Sequence, residues 1–369
     1  MRIAAFNVEN LFNRAKALNN ETWAEGKPVL EAYARLSKLF EKERYSAADK
    51  RAILKELDVL GLKKSDESEY VWLRRSRGAL LKRPRSGPVE VVADGRGDWI
   101  GWLDLKTEIL NETAIRNTAR VIADVKADIL AVVEAENRPA LTRFNDDVLA
   151  EFDFSYDEIM LIDGNDERGI DVGLMTRRKH AIDLMRSHVG DTDDDGQIFS
   201  RDCPEFFVTT PSGQTVLVMI NHLKSKGFGS QETSNKKRKR QARRIRKLYD
   251  ARRAEGFDNI VVLGDFNDTP DSDPLAPLMQ EGSDLKDISE HPAFVDDGRP
   301  GTYKNGTKGS KIDYVLLSPA LFARVEKAAY HRTGVWGGKN GDLWPVYDTM
   351  TDDIHAASDH AAVWVDIDM

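Results

Sequence analysis

Seven short apolar runs in this 369-residue chain end in polar residues of the kinds that hold cations, activate water or contact phosphate. In chain order these residues are Asn7 and Glu9; Glu134 and Glu136; Asp171; Asn221 and His222; Asp265 and Asn267; Asp313; and Asp359 with His360. One Asp at a strand end is usually a solvated terminus, whereas seven such ends together suggest a shared site. Side chains two apart on a strand share a face. If the strands continue, Asp265 and Asn267 point together, and so do Asn7 and Glu9. An acceptor beside an amide suits an attacking water and a phosphoryl oxygen. Carboxylates such as Glu134 and Asp359 are hard oxygen ligands of the kind Mg²⁺ or Mn²⁺ prefers. His222 and His360 each lie near acids that can orient or charge them. Gly264, next to Asp265, admits close approach of backbone or ligand.

The elements that carry these residues read as buried strands: Arg2–Val8, Asp128–Val133, Asp171–Met175, Thr215–Ile220, Asn259–Leu263, Lys311–Leu317 and Ala361–Ile367. Helical patterns lie between them at Thr113–Lys126 and Lys236–Arg253, the latter with Ile245, Leu248 and Tyr249 on one side. The mixture predicts an α/β fold with covered sheets. Residues from about 13 to 111 break the rhythm. They hold a predicted helix at Val29–Glu43, another at Ala47–Leu60 capped by Ser46, and strand-like pieces around Tyr70–Leu73, Glu90–Ala93 and Trp99–Leu103. We read this segment as an insertion, a lid or accessory subdomain after the first strand of a single domain spanning 1–369.

Composition supports a packed core, with 41% hydrophobic and 31% charged residues, and excludes wholesale disorder. No run approaches the roughly 18 apolar residues that cross a bilayer, and the start MRIAAFNVEN lacks a secretory apolar region. A cytoplasmic protein without a membrane partner is the expectation, and no obligate protein partner is evident. The single Cys203 can form neither an internal disulfide nor a zinc cluster. The net charge of −8 conceals an asymmetry: Lys236–Arg253 carries a local +10, leaving −18 elsewhere. A second basic run spans Arg74–Arg85. Such runs are commonly solvated faces, but beside a phosphate-directed site they could hold a polyanion.

The blocks FNVENLF, DILAVVEAEN, RGIDVGLM, NHLKSK, VVLGDFND, KIDYVLLS and SDHAAVW resemble, in identity and order, the signature of the endonuclease/exonuclease/phosphatase superfamily, which includes deoxyribonuclease I and exonuclease III. The resemblance covers residues 1–13 and about 112–369 and leaves the insertion unexplained. It implies a four-layer, deoxyribonuclease I-like sandwich of two mixed β-sheets flanked by helices, with the site at one rim of the sheets. It further implies that Glu134 is the principal metal carboxylate, with Asp359, Asn7 and Glu9 contributing to the Mg²⁺ or Mn²⁺ environment. Asp265 would activate or position the water and Asn267 would hold it. His222 would bind the scissile phosphate, with Asp171 orienting it. His360, polarised by Asp313, would stabilise the pentacovalent phosphorane. Asn221, Lys224 and Arg238 are the expected contacts to phosphate or nucleic acid. Two positions depart from many relatives: Val133 stands where Gln often precedes the metal-binding Glu, and Glu9 stands where some carry Asp. Both bear on metal geometry.

Weaker patterns remain. Asp191-Thr-Asp193-Asp-Asp195-Gly196, with Asp202 at the twelfth position, has the spacing of a Ca²⁺ loop, although its flanks read as strands or a hairpin and an acidic surface turn is the simpler reading. Gly301–Gly306 resembles the opening of a phosphate-binding loop but has Thr307 where Lys belongs. Trp336, Trp344 and Tyr347 in GVWGGKNGDLWPVY either stack on a base or pack a long loop. The expected activity is metal-dependent hydrolysis of phosphodiesters in DNA or RNA. The alternatives are a phosphatase or phosphodiesterase of small molecules or lipid head groups, and a catalytically inactive binding module.

Overall fold

In strands the apolar side chains alternate between two environments, and that alternation builds the molecule. The computed structural model describes residues 1–18, 23–109, 111–166, 168–226, 230–280 and 282–369. They form two units: one comprises residues 1–12 and the described residues from 111 to 369, the other the described residues of 13–109.

The first unit contains two six-stranded mixed sheets. One runs in the order Val325–His331, Ala362–Ile367, Arg2–Asn7, Ile129–Ala135, Asp171–Thr176, Glu158–Leu161. The other runs Ala181–Arg186, Glu205–Thr209, Thr215–His222, Ile260–Asp265, Asp313–Leu317, Lys286–Asp287. Ile3, Ala5, Ile129, Ala131 and Val133 of the first sheet meet Val216, Val218, Ile220, Val261, Leu263 and Val315 of the second in one core. Their neighbours face outward. Ala4, Phe6, Leu130 and Val132 pack with Ile115, Ala119 and Ile122 of the helix Glu112–Val125. Leu217, Met219, Ile260 and Val262 pack with Ala242, Ile245, Leu248 and Tyr249 of the helix Gln231–Ala254. The result is helix, sheet, sheet, helix: the four-layer sandwich expected.

Capping explains where the helices stop. Asn111 accepts from the Thr113 N–H, and Lys126 ends the first helix at φ 54°. Ser230 caps the second, which therefore begins earlier than its basic run suggests. Five strands have no counterpart in the sequence reading: Glu158–Leu161, Ala181–Arg186, Glu205–Thr209, Lys286–Asp287 and Val325–His331. Ala181–Arg186 and Val325–His331 are edge strands with half-exposed or exposed residues, so the apolar run that marks a strand is diluted there.

The second unit has its own core, in which Leu36 and Phe40 of the helix Trp23–Phe40 pack with Ile53 and Leu57 of Ala47–Val59 and with Trp99. Ser46 and Asp49 form a capping box. Val71–Arg77 pairs antiparallel with Ile100–Leu105. Asn13–Ala15 pairs with Thr107–Ile109, so the segment enters and leaves through adjacent strands. Among the described residues no helix is long and apolar enough to cross a membrane.

Candidate active site

Strand register and side-chain parity bring the polar strand ends together. In the second sheet His222 lies beside Asp265, and Asp265 beside Asp313, in one row across three strands. Each continues the inward-facing series of its strand (Ile220, Leu263 and Val315), so all three face the first sheet. Asn7 continues the inward series Ile3, Ala5 of its own strand and donates from Nδ2 to Asp265 Oδ2 at 3.3 Å. Gly264, at φ 122°, makes the row possible: a Cβ there would stand 2.1 Å from the carbonyl oxygen of Asn221.

Two pairs expected to align along a continuing strand are instead joined by turns. The strands end at Asn7 and Asp265; Glu9 and Asn267 adopt left-handed φ values of 51° and 56°. The Glu9 N–H donates to Asn7 Oδ1 at 3.0 Å, and the Asn267 N–H donates to Asp265 Oδ1 at 2.8 Å. Asn267 Nδ2 also donates to Asp265 Oδ2 at 3.0 Å and to the Leu223 carbonyl at 3.1 Å. The same side-chain-to-backbone turn thus closes one strand in each sheet. Glu134 too sits at a left-handed φ of 69°, breaking the alternation of its strand.

The two histidines are pushed in opposite directions. Burial holds His222 well below its ordinary value, helped by the fields of Arg201 and Arg168. Its Nε2 stands 3.5 Å from Glu134 and 3.6 Å from Asp265, beyond hydrogen-bond length. Burial alone would lower His360 as well, but Asp313, Asp359 and Asp265 hold it well above its ordinary value. His360 Nδ1 lies 2.9 Å from Asp313 Oδ2 and Nε2 lies 3.5 Å from Asp359. Burial and the neighbouring Asp313 raise the Asp265 carboxyl far above the usual range. A neutral imidazole, a cationic imidazole and a carboxylate poised to take a proton therefore share one pocket.

Residues that the motifs did not single out hold this arrangement. Thr302 Oγ1 donates at 2.6 Å to Asp313 Oδ2, the oxygen that also meets His360 Nδ1. Ser358 Oγ donates to the Asn7 carbonyl at 2.7 Å and accepts from the His360 N–H at 3.0 Å, tying the last strand to the first. The Tyr303 ring lies 4.9 Å from that of His360, and burial beside Asp359 raises its hydroxyl well above the ordinary value. The Asp359 N–H donates to Glu9 Oε2 at 3.0 Å. On the other side, Asp166 takes Arg168 at 2.7 Å and Arg201 at 2.8 Å. Arg201 also donates to the carbonyl of Leu223. Burial and these two guanidiniums lower half-buried Lys224 to about 8. Glu136 accepts from the Phe12 N–H at 2.7 Å. The sequence signal for this supporting set was its place in or beside the motif blocks, as with Ser358 in SDHAAVW and Arg168 in RGIDVGLM.

Several expected roles are not available in this geometry. Asp171 makes no hydrogen bond to His222: its Oδ1 accepts from the Gly164 N–H at 2.7 Å, and His222 Nδ1 is buried without a partner. Burial and the nearby Asp163 and Asp166 raise Asp171 to about 6, against that N–H. Asn221 is fully buried on the helix-facing side with Met219, so it cannot meet a phosphate. Arg238 is also fully buried, pairing with Asp268 at 3.0 Å and donating to the Lys224 carbonyl; it supports the strand end from behind. The Ca²⁺ loop is a hairpin, Thr192–Asp193 against Gly196–Gln197, whose acids are taken by the basic helix. Asp191 pairs with Arg244, Asp193 with Arg240 and Asp195 with Lys236, while Asp202 accepts from Ser187 and the His188 N–H. Cations occupy the carboxylates that a calcium ion would need. Trp344 lies between Arg299 and Arg332 and donates to the Val335 carbonyl, and Tyr347 donates to Asp124: the aromatic loop is packed.

Among the described residues, the tightest group of possible ligands is Asp265, Asp313 and His360, with ligand atoms within 4.8 Å of one another. His360 and Asp313 already bond each other, so that trio reads as a proton-handling group. Glu134, Asp359 and Glu9 stand beside it as oxygen donors, and His222 is too far from Glu134 to satisfy it. Hard oxygen donors around an acid-rich pocket fit Mg²⁺ or Mn²⁺.

Comparison with known proteins agrees with the geometry. The Endonuclease/Exonuclease/phosphatase family model matches residues 102–334. A family member from Bacteroides thetaiotaomicron is 16% identical, covering 69% of this chain and 86% of its own, with a TM-score of 0.50. A mannosyl-6-phosphatase of the same organism is 16% identical over 70% and 92%, with a TM-score of 0.49. The human nocturnin catalytic domain is 15% identical over 71% and 88%, also at 0.49. No curated protein matches in sequence.

Proposed function

The chain belongs to the endonuclease/exonuclease/phosphatase family, and from that premise we propose that it is a divalent-metal-dependent hydrolase of phosphodiester bonds in nucleic acid. The observation that carries this reading is the convergence on one rim of Asn7, His222, Asp265 and Asp313, from four strands of two sheets, with His360, which just precedes the strand Ala362–Ile367. Glu134, with Asp359, Asn7 and Glu9, would hold the cation, which supplies Lewis-acid stabilisation of phosphoryl oxygens. Asp265 takes a proton from the attacking water, a task suited to its raised affinity for protons. Asn267 keeps the carboxylate in one orientation through two hydrogen bonds. His360, charged by Asp313, stabilises negative charge on the phosphorane. His222, neutral, donates a hydrogen bond to a phosphate oxygen, and Lys224 attracts the anion.

A second reading, hydrolysis of a small phosphoester, is favoured by one observation. The helix Gln231–Ala254 is not the free cationic surface its sequence suggests, because Lys236, Arg240, Arg244 and Lys239 pair with acids and Arg238 is buried. The test is one preparation assayed on plasmid, single-stranded DNA, RNA, bis(p-nitrophenyl) phosphate and inositol phosphates, with and without chelator. Cleavage of the polymers, abolished by chelator and reduced on the order of 10²- to 10³-fold in Asp265→Asn, is the expected result. Turnover confined to inositol phosphates establishes the second reading, and undiminished turnover in Asp265→Asn removes the role given to that carboxylate.

A further inference from the structure

The second basic run, Arg74–Arg85, holds six cations and no acid. Its first part is the strand Val71–Arg77, whose inward side chains Val71 and Leu73 join the core of the 13–109 unit. The opposite face is exposed. Register sets Arg74 against Trp102 and Trp72 against Asp104 across the two strands. Asp104 accepts from Trp102 Nε1 at 2.8 Å and from Arg74 Nε at 2.9 Å, which fixes both planes. The Arg74 guanidinium lies 4.7 Å from the centre of the Trp72 ring. With its N–H satisfied, Trp102 turns its ring surface to solvent and remains 48% exposed. Gly101 makes this possible from below, since a Cβ there would strike the Trp99 ring and the Arg74 carbonyl.

Two features of this face select a partner. An indole locked by its own N–H bond presents a flat π-surface and no donor, which suits the face of a planar ring. The bulge after Arg75 sets Arg77 opposite Ile100 and so on the Trp102 face, while Arg75, opposite Gly101, turns to the other face; Lys82 and Arg85 follow on the return, and among the described residues none of Arg77, Lys82 and Arg85 has a carboxylate partner. Stacking surface beside unneutralised cations is the combination that holds unpaired nucleotides, base on the ring and phosphate on the cations. A buried apolar contact with a protein would leave those cations unexplained.

We propose that the exposed face of the Val71–Arg77 and Ile100–Leu105 strand pair binds single-stranded nucleic acid, with a base stacked on Trp102 and its phosphate on Arg77. This rests on the polymer reading of the substrate and goes beyond it, since it places a binding surface outside the hydrolytic site.

The test uses the full chain with chelator present, so that binding is read without hydrolysis. A labelled oligothymidylate of about twenty nucleotides, spanning one or more typical single-strand sites, is titrated at several salt concentrations. Expected are quenching of tryptophan fluorescence, affinity that falls steeply with salt, and binding about tenfold weaker in Trp102→Ala and in Arg77→Ala. Trp102→Phe, which keeps a ring, should recover most of the affinity. Turnover of bis(p-nitrophenyl) phosphate should be unchanged in all three. Affinity equal to wild type in Trp102→Ala and Arg77→Ala overturns the proposal, as does polyglutamate competing as well as the oligonucleotide. Because one assay contains chelator and the other a small diester, failure of the binding surface and failure of the hydrolytic reading are seen separately.

Discussion

Gly264 decides whether His222 and Asp265 can be neighbours. It pairs with Asn221 across parallel strands, and its φ of 122° lies where side-chain-bearing residues are strained. A Cβ would stand 2.1 Å from the Asn221 carbonyl oxygen and 3.1 Å from its nitrogen, both backbone atoms that no rotamer change can move. Gly264→Ala should therefore destabilise the fold by about 2–4 kcal/mol, combining backbone strain with overpacking. Urea denaturation reads this as a lower midpoint at unchanged slope, and a wild-type midpoint would show that the strands can separate at no cost. The residues of the site were legible as types: Asn7, His222, Asp265, Asp313 and His360 all stood out at the ends of apolar runs. Their local geometry was not. Asn267 and Glu9 reach their partners through left-handed turns rather than along a pleat, a choice made by hydrogen bonds to the preceding side chain that spacing does not reveal.

At the scale of elements, the helix Gln231–Ala254 shows what a sequence pattern hides. Its extent was largely legible from Ile245, Leu248 and Tyr249, but its charge pointed toward a polyanion. Acids that neutralise it come from far along the chain, Asp273 for Lys239 from 34 residues away, Asp195 for Lys236 from 41 and Asp191 for Arg244 from 53, and only folding brings them near. One such contact binds the helix to its sheet. Glu205, fully buried on the strand Glu205–Thr209, takes Arg252 at 2.6 Å and His188 at 2.7 Å. Burial alone would raise this carboxyl, yet the hydrogen bonds from His188 and Arg252 and their charge lower it to about 2. A carboxyl depressed in the folded state contributes stability that is complete above its unfolded value, about 4.3, and is lost as pH falls from there to about 2. The contribution is of order 3 kcal/mol. Thermal unfolding followed from pH 6 down to pH 2.5 should show the wild type losing stability faster than Glu205→Gln, whose curve starts lower and is flatter. Parallel curves would mean that this carboxyl titrates alike folded and unfolded.

For the whole molecule, the decisive fact is that residues 13–109 and the sandwich keep separate hydrophobic cores. The sequence showed the interruption, because the strand rhythm stops after Phe12 and resumes after Asn111. It did not show how the segment is attached, since strands as short as Asn13–Ala15 and Thr107–Ile109 carry too few residues for a pattern. Their pairing sets Asn13 opposite Ile109, so the chain leaves and re-enters at neighbouring positions. Cα atoms directly opposite in an antiparallel pair lie about 4.5–5.5 Å apart, a gap that two or three glycines span. All of Asn7, Glu9, Glu134, His222, Asp265, Asp313, Asp359 and His360 belong to the sandwich, as do their supports Thr302 and Ser358. Replacing residues 14–108 by a short glycine linker should therefore leave a folded, cooperatively melting protein. It should hydrolyse bis(p-nitrophenyl) phosphate in a chelator-sensitive way at a rate within about tenfold of the full chain, the loss reflecting only looser positioning. The same protein should lose the salt-dependent binding of oligothymidylate in chelator, because Trp102 and Arg77 leave with the insertion. A deletion that folds but turns over no small diester would make the insertion part of the hydrolytic machinery, and one that binds the oligonucleotide as tightly as the full chain would return the nucleic-acid surface to the sandwich.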